Sequence, residues 1–196
     1  MPGLPLLAGR LVGKVALDAM TITPDTKDWT WVLERPCPEC GLDTSSFTRE
    51  QIAAMLRANA AAWRAPLAVP GAADRTQPDR WSSLEYGCHV RDVFRLYDYR
   101  LGLMLTEDDP LYPNWDQDET AVADNYAAQD PIVVAGELVV AADSLADRFA
   151  ALSGDQWLRP GRRSDGASFT VETFARYFIH DPIHHLHDVT GTQTTL

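Results

Sequence analysis

Tyr177-Phe-Ile-His-Asp-Pro-Ile-His-His-Leu-His-Asp188 holds four of the five histidines in this chain: His180, His184, His185 and His187. Residues four apart lie one above the other on a helix, so His180 and His184 can aim two imidazoles at one point, as metal-binding pairs do. The fifth histidine, His89, is the natural third ligand, since it falls in the middle of another amphipathic run. Facing helices of a bundle are where such sites are built, and three imidazoles with a fourth position open is a catalytic zinc arrangement. His185 and His187 cannot share the face of His180 and His184, and are expected in supporting or surface roles. The competing reading makes His89 a satisfied polar residue on a helix flank and leaves the cluster solvated.

Pro182 lies between the two proposed ligands. It removes one helical hydrogen bond, to the carbonyl of Phe178, at a cost of about 3 kcal/mol in a helix interior. The expectation is a kinked helix. The alternative, a new helix capped by Asp181 with Pro182 at its first position, would dissolve the i,i+4 pair.

Working outward, the same helical periodicity recurs. Thr48 and Gln51 form a candidate capping box, and Phe47, Ile52, Met55, Leu56 and Trp63 follow at helical spacing up to Pro66. The stretch Trp81-Ser-Ser-Leu-Glu85 starts a long amphipathic helix through Val90, Phe94, Tyr97, Leu101 and Leu105. Residues 108–115 read as a loop, 116–129 as a short helix, 131–152 as an apolar helix, and 159–166 as an exposed loop before the histidine-bearing helix, opened by Thr170 and Thr173. Four long helical runs with hardly any alternating pattern predict an all-α, antiparallel four-helix bundle over 47–196, preceded by an irregular arm over 1–46 that drapes over it.

Composition narrows the function. Seventeen basic against 28 acidic residues leave a net charge of −11, with the basic ones scattered, which opposes nucleic-acid binding. The N-terminus lacks a charged leader followed by a long apolar stretch, and no run approaches a bilayer-crossing length, so a cytoplasmic protein away from membranes is expected. Three cysteines, Cys37, Cys40 and Cys88, predict reduced thiols rather than a disulfide framework.

Leu84-Glu-Tyr-Gly-Cys-His-Val-Arg-Asp92, Asn114-Trp-Asp-Gln-Asp-Glu119, and Arg163-Ser-Asp-Gly followed by Phe169-Thr-Val-Glu-Thr and His180-Asp-Pro-Ile-His-His185 together resemble the DinB-like superfamily. Within it they are most similar to the actinobacterial branch related to mycothiol-dependent maleylpyruvate isomerases, whose leader Trp29-Thr-Trp and Arg35-Pro-Cys-Pro-Glu-Cys-Gly41 resembles. The resemblance implies an up-up-down-down bundle, frequently a homodimer, with a divalent metal, zinc or nickel. One histidine of the second helix and a His-x-x-x-His pair of the fourth hold it, here His89, His180 and His184. It further implies a small-molecule thiol, mycothiol or bacillithiol, activated for S-transfer or isomerisation on an electrophile.

Other residues carry candidate chemistry. Cys37-Pro-Glu-Cys-Gly41 reads first as a loop with structural cysteines, second as a redox pair, and third as half of a zinc site completed by a histidine or another subunit. Cys88 is expected to pack rather than coordinate, since neighbours on a helix point about 100° apart. Trp115, Asp116, Asp118 and Glu119 either edge a pocket or start a helix, with the helix start favoured. Arg162 and Arg163 are candidates for an anionic cosubstrate, weighed against plain surface charge. Asp92 is the one nameable general base should the reaction be metal-assisted hydrolysis. A bundle that binds a metal or ligand without turnover is the alternative from a different class.

Overall fold

In the computed structural model the described residues are 22 and 27–193; the earlier part of the expected arm lies outside them. The helix starts follow capping chemistry. Gln51 accepts from the Thr48 N–H at 2.8 Å, and a 3₁₀ turn at Arg49–Gln51 leads into α1 (Ile52–Ala62), which α2 (Arg64–Ala68) prolongs. Ser82 caps α3 (Ser83–Thr106), its Oγ accepting from the Glu85 N–H at 3.2 Å. Asp116 caps α4 (Gln117–Ala123), and Asp130, with Pro131 at the first position, caps α5 (Pro131–Ala150). Thr170 opens α6 (Val171–Thr190), and Gly191, at φ +69°, closes it.

Glu85 shows how one cap is reinforced. Its Oε2 accepts from the Ser82 N–H at 2.8 Å and from Arg75 Nε at 2.9 Å. Burial pushes this carboxyl up, but the Arg75 guanidinium and the Ser82 N–H outweigh burial and hold it below the usual range. Its stabilising contribution is therefore present above the unfolded value of 4.5 and is lost as pH falls through the lower folded one. Ser82→Ala is expected to cost about 1 kcal/mol, read as a lower urea midpoint at unchanged slope. A midpoint equal to wild type would show that the cap contributes nothing.

The long helices pack in the order α1, α5, α3, α6 around a shared core, so chain neighbours α1 and α3 occupy opposite corners. Phe94, Leu101 and Met104 of α3, Leu138, Leu145 and Phe149 of α5, Ile52 and Leu56 of α1 and Phe174 and Phe178 of α6 all belong to one buried core. The bundle is the expected architecture. The arm contributes to the same core through buried Cys37, Cys40 and Leu42, with one 3₁₀ turn at Thr30–Leu33. No helix among the described residues is long and apolar enough to cross a membrane.

Three segments differ from expectation. The stretches read as loops at 108–115 and 159–166 contribute to a three-stranded sheet: β1 (Leu111–Tyr112) runs parallel to β2 (Pro160–Arg163), which pairs antiparallel with β3 (Ser168–Thr170). Strands of two to four residues are too short for a readable period of two, and their pairing is long-range. Gly161 is needed here because a Cβ would come within 2.7 Å of Met104 Cγ. The helix expected over 116–129 stops at Ala123, since Asn125 takes a left-handed φ of +49° before a 3₁₀ turn at Tyr126–Ala128.

Candidate metal centre

Helix α6 runs without interruption through Pro182, and its register decides the site. Asn59 Nδ2 of α1 donates to the Pro182 carbonyl at 2.9 Å, which ties this part of α6 to α1. On this helix two i,i+4 pairs are offset by a single residue, His180 with His184 and Asp181 with His185, so they point about 100° apart. The first pair faces the arm. The second faces α3.

The three histidines expected to converge line one cavity, but His89 keeps different near neighbours from His180 and His184. His89 of α3 stands with Asp181 and His185, each offering a ligand atom within 4.8 Å of the others. His180 and His184 stand instead with Cys37 and Cys40, again all within 4.8 Å. The histidine ring in contact with His89 is that of His185, at 4.7 Å between centroids, while His180 and His184 are 5.0 Å from each other. His89, His180 and His184 all line one cavity, while the ligand atoms that lie within 4.8 Å of one another fall into these two clusters. The reason is that Asp181 and His185, not His180 and His184, share the face of α6 turned toward α3.

In the first cluster, His89 Nε2 lies 3.4 Å from Asp181 Oδ1, and His185 Nε2 lies 3.9 Å from the same oxygen. Neither ring nitrogen of His89, which is 1% exposed, has a hydrogen bond of good geometry, and Asp181 Oδ1 likewise lacks one. Buried polar atoms without partners are costly, and His89 Nε2 and Asp181 Oδ1, set 3.4 Å apart, are a pair that a cation would satisfy. Burial holds the His89 imidazole below its usual range, favouring the neutral, ligating form. Burial would push the Asp181 carboxyl up, but the imidazoles of His89 and His185 bring it down to about 2. His185 Nδ1 meets Asp188 Oδ2 at 3.0 Å, which turns Nε2 toward the cluster, the orientation a carboxylate gives a metal-ligating histidine. Two imidazoles and a carboxylate suit a catalytic divalent ion with an open position.

This cluster lies on a cavity of about 1010 Å³. Its walls are the arm at Lys27–Thr30, α3 from His89 to Arg100, the start of α4, the β2–β3 turn and α6. Trp115 stacks on His89 at 5.4 Å with planes 13° apart, so the aromatic residue forms cavity wall while Asp116 beside it caps α4; both readings of that segment hold. At the other end stand Arg163 and Arg100. Arg163 Nη1 donates to the Tyr177 hydroxyl at 3.1 Å and its Nε to Asp165 at 2.9 Å. Arg100 is 3% exposed, donates from Nη2 to the Pro113 carbonyl at 2.7 Å, and has an Nε with no hydrogen-bond partner.

Other expected residues are placed elsewhere. Arg162 turns outward and pairs with Asp109 at 2.9 Å, because successive residues of β2 face opposite sides and only Arg163 reaches the cavity. Asp92 is engaged by Arg91 at 2.9 Å, Arg95 at 3.1 Å and the Tyr126 hydroxyl at 2.6 Å, and does not line the cavity, so it is not placed as a base. Cys88 is buried 3.5 Å from Gln129 Oε1, with burial pushing its thiol up to about 12. His187 Nδ1 lies 3.1 Å from the Thr192 carbonyl oxygen. Reasoning on sequence missed Asp181, His185 and Arg100. For the first two the signal existed, the same i,i+4 spacing one residue along; for Arg100, one of three arginines on an amphipathic helix, there was none.

A family model described as the DinB superfamily matches residues 70–189. Among solved structures, YfiT from Bacillus subtilis, described as a probable metal-dependent hydrolase with an unusual four-helix bundle topology, aligns with a TM-score of 0.61, covering 87% of this chain and 91% of its own. At 17% identity that likeness is one of fold. No curated protein matches the chain.

Proposed function

The chain belongs to the DinB superfamily, and on that footing we propose that it is a metal-dependent enzyme of the cavity, transferring a small thiol such as mycothiol or bacillithiol to an anionic electrophile or isomerising it. The observation that carries the reading is the buried His89, with neither ring nitrogen hydrogen-bonded, facing Asp181 and His185 at the edge of a large cavity. His89, Asp181 and His185 would hold the ion, zinc or nickel. Such an ion, when bound, lowers the pKa of a coordinating thiol.

The rest of the work falls to side chains. Asp188 orients His185, and the Trp115 ring covers His89 against water. Arg100, for which no carboxylate partner is found among the described residues, and Arg163 supply positive charge at the far wall, where an anionic group of the electrophile or thiol would offset the cost of a buried cation. The metal-assisted hydrolysis reading has lost Asp92 as its base, since that carboxylate is spent on Arg91 and Tyr126.

The test combines elemental analysis of untagged protein with conjugation assays against mycothiol and bacillithiol. Metal-dependent turnover that requires the thiol is the expected result. Turnover of esters or amides with no thiol would replace transfer by hydrolysis, and metal binding without any turnover would replace it by a binding module. Asp188→Asn is expected to lower turnover by roughly 10–100-fold in a folded protein, the size of effect found for partners of metal ligands.

A further inference from the structure

The arm and α6 bring together a second set of ligands that the cavity chemistry does not use. From Cys37 to Leu42 the chain folds back on itself, the Cys37 N–H donating to the Leu42 carbonyl at 2.8 Å and the Gly41 N–H to the Cys37 carbonyl at 2.9 Å. Gly41 sits at φ +78°, a conformation that favours glycine, and the tight turn lets both thiols face one way. Opposite them stand His180 and His184, with Cys37 Sγ 3.6 Å from His184 Nδ1. All four residues are buried, at 1%, 0%, 4% and 6% exposure in chain order.

We propose that Cys37, Cys40, His180 and His184 form a closed, tetrahedral zinc site that fastens the arm to α6, distinct from the His89–Asp181–His185 centre. Two thiolates and two imidazoles are a structural zinc set, with no position left for substrate. Four ligand atoms within 4.8 Å of one another need only small side-chain movements to reach the roughly 3.3–3.8 Å spacing of a tetrahedron with bonds of about 2.0–2.3 Å. His180 supplies an independent sign: its buried Nε2 has no hydrogen-bond partner. Around His184 the carboxylates are where second partners of a ligand stand, Glu39 at 3.6 Å and Asp188 at 3.9 Å from Nε2, leaving Nδ1 for the ion. A redox pair fits less well, because Cys40 is fully enclosed and a dithiol has no use for two buried imidazoles. The consequence is mechanical: the arm that forms one cavity wall, with Trp29 packed 5.2 Å and 5.0 Å from the two imidazoles, would be pinned in place by the ion.

The experiment uses untagged, full-length protein loaded with zinc or with cobalt. In wild type, a mercurial titrating two thiols should release one equivalent of zinc, and the cobalt form should show thiolate-to-metal charge-transfer bands with strong visible bands of a tetrahedral ion. Cys37→Ser and His180→Ala should each lose that equivalent and those bands, while His89→Ala keeps both. The wild-type arm of the test needs no variant to fold. Cobalt spectra without thiolate bands, zinc release unlinked to thiol titration, or wild-type zinc content in Cys37→Ser would overturn the proposal. The His89→Ala comparison separates this outcome from failure of the cavity centre, since either site can lose its ion alone.

Discussion

His89→Ala is expected to abolish thiol-dependent turnover, with a fall of at least about 100-fold, and to remove one equivalent of metal from the protein. Altering a mere partner of a metal ligand costs roughly 10–100-fold, so deleting a ligand should cost more. The imidazole is enclosed at 1% exposure and set 3.4 Å from Asp181 Oδ1, so no neighbouring solvent group can replace it. Asp181→Asn and His185→Ala should fall with it, because all three offer their atoms to the same point. His187→Ala, whose ring instead meets the Thr192 carbonyl, should leave turnover and metal content at wild-type levels. Steady-state kinetics with circular dichroism as a control for folding would read the effect; near-wild-type turnover in His89→Ala would remove the cavity centre from the mechanism.

The second large effect is on stability. Phe178 of α6 is 0% exposed and packs its ring 4.5 Å from Tyr97, 5.9 Å from Phe94 and 6.4 Å from Phe149, tying α6 to both α3 and α5. Phe178→Ala removes a whole ring and leaves a cavity that packed helices cannot close, at a cost of about 3–5 kcal/mol. For a chain of this size each kcal/mol lowers the melting temperature by about 2–4 °C, so a drop on the order of 10 °C is expected by thermal denaturation. A shift below about 2 °C would mean that the core relaxes around the lost ring, and that the bundle is packed far more loosely than its contacts imply.

The legible part of this protein was local. The capping box at Thr48, the serine cap ahead of α3, the helix running from Pro131 and the helical spacing of Leu, Phe and Trp residues are written within a few neighbouring positions, and the helices begin where those signals stand. The dense histidine cluster marked α6 as the chemical helix for the same reason. Helix ends and the three-stranded sheet were less legible, since Asn125 in a left-handed conformation and strands as short as Leu111–Tyr112 depend on what packs against them.

What the sequence by itself determined is that α6 carries two superposed ligand pairs, because i,i+4 spacing is a property of the helix and is complete within residues 180–185. Which pair meets which partner was decided only by tertiary structure. Rotating α6 by a single residue's 100° would exchange the pair facing α3 for the pair facing the arm, and nothing local resists that rotation. The docking of α6 resists it: Phe174 and Phe178 must enter the core, Asn59 must reach the Pro182 carbonyl, and Arg176 must reach the carbonyls of Thr44 and Phe47. Once those contacts are made, Asp181 and His185 are left facing His89, and His180 and His184 are left facing cysteines more than a hundred residues earlier in the chain, across a separation of 147 positions for Cys37 and His184.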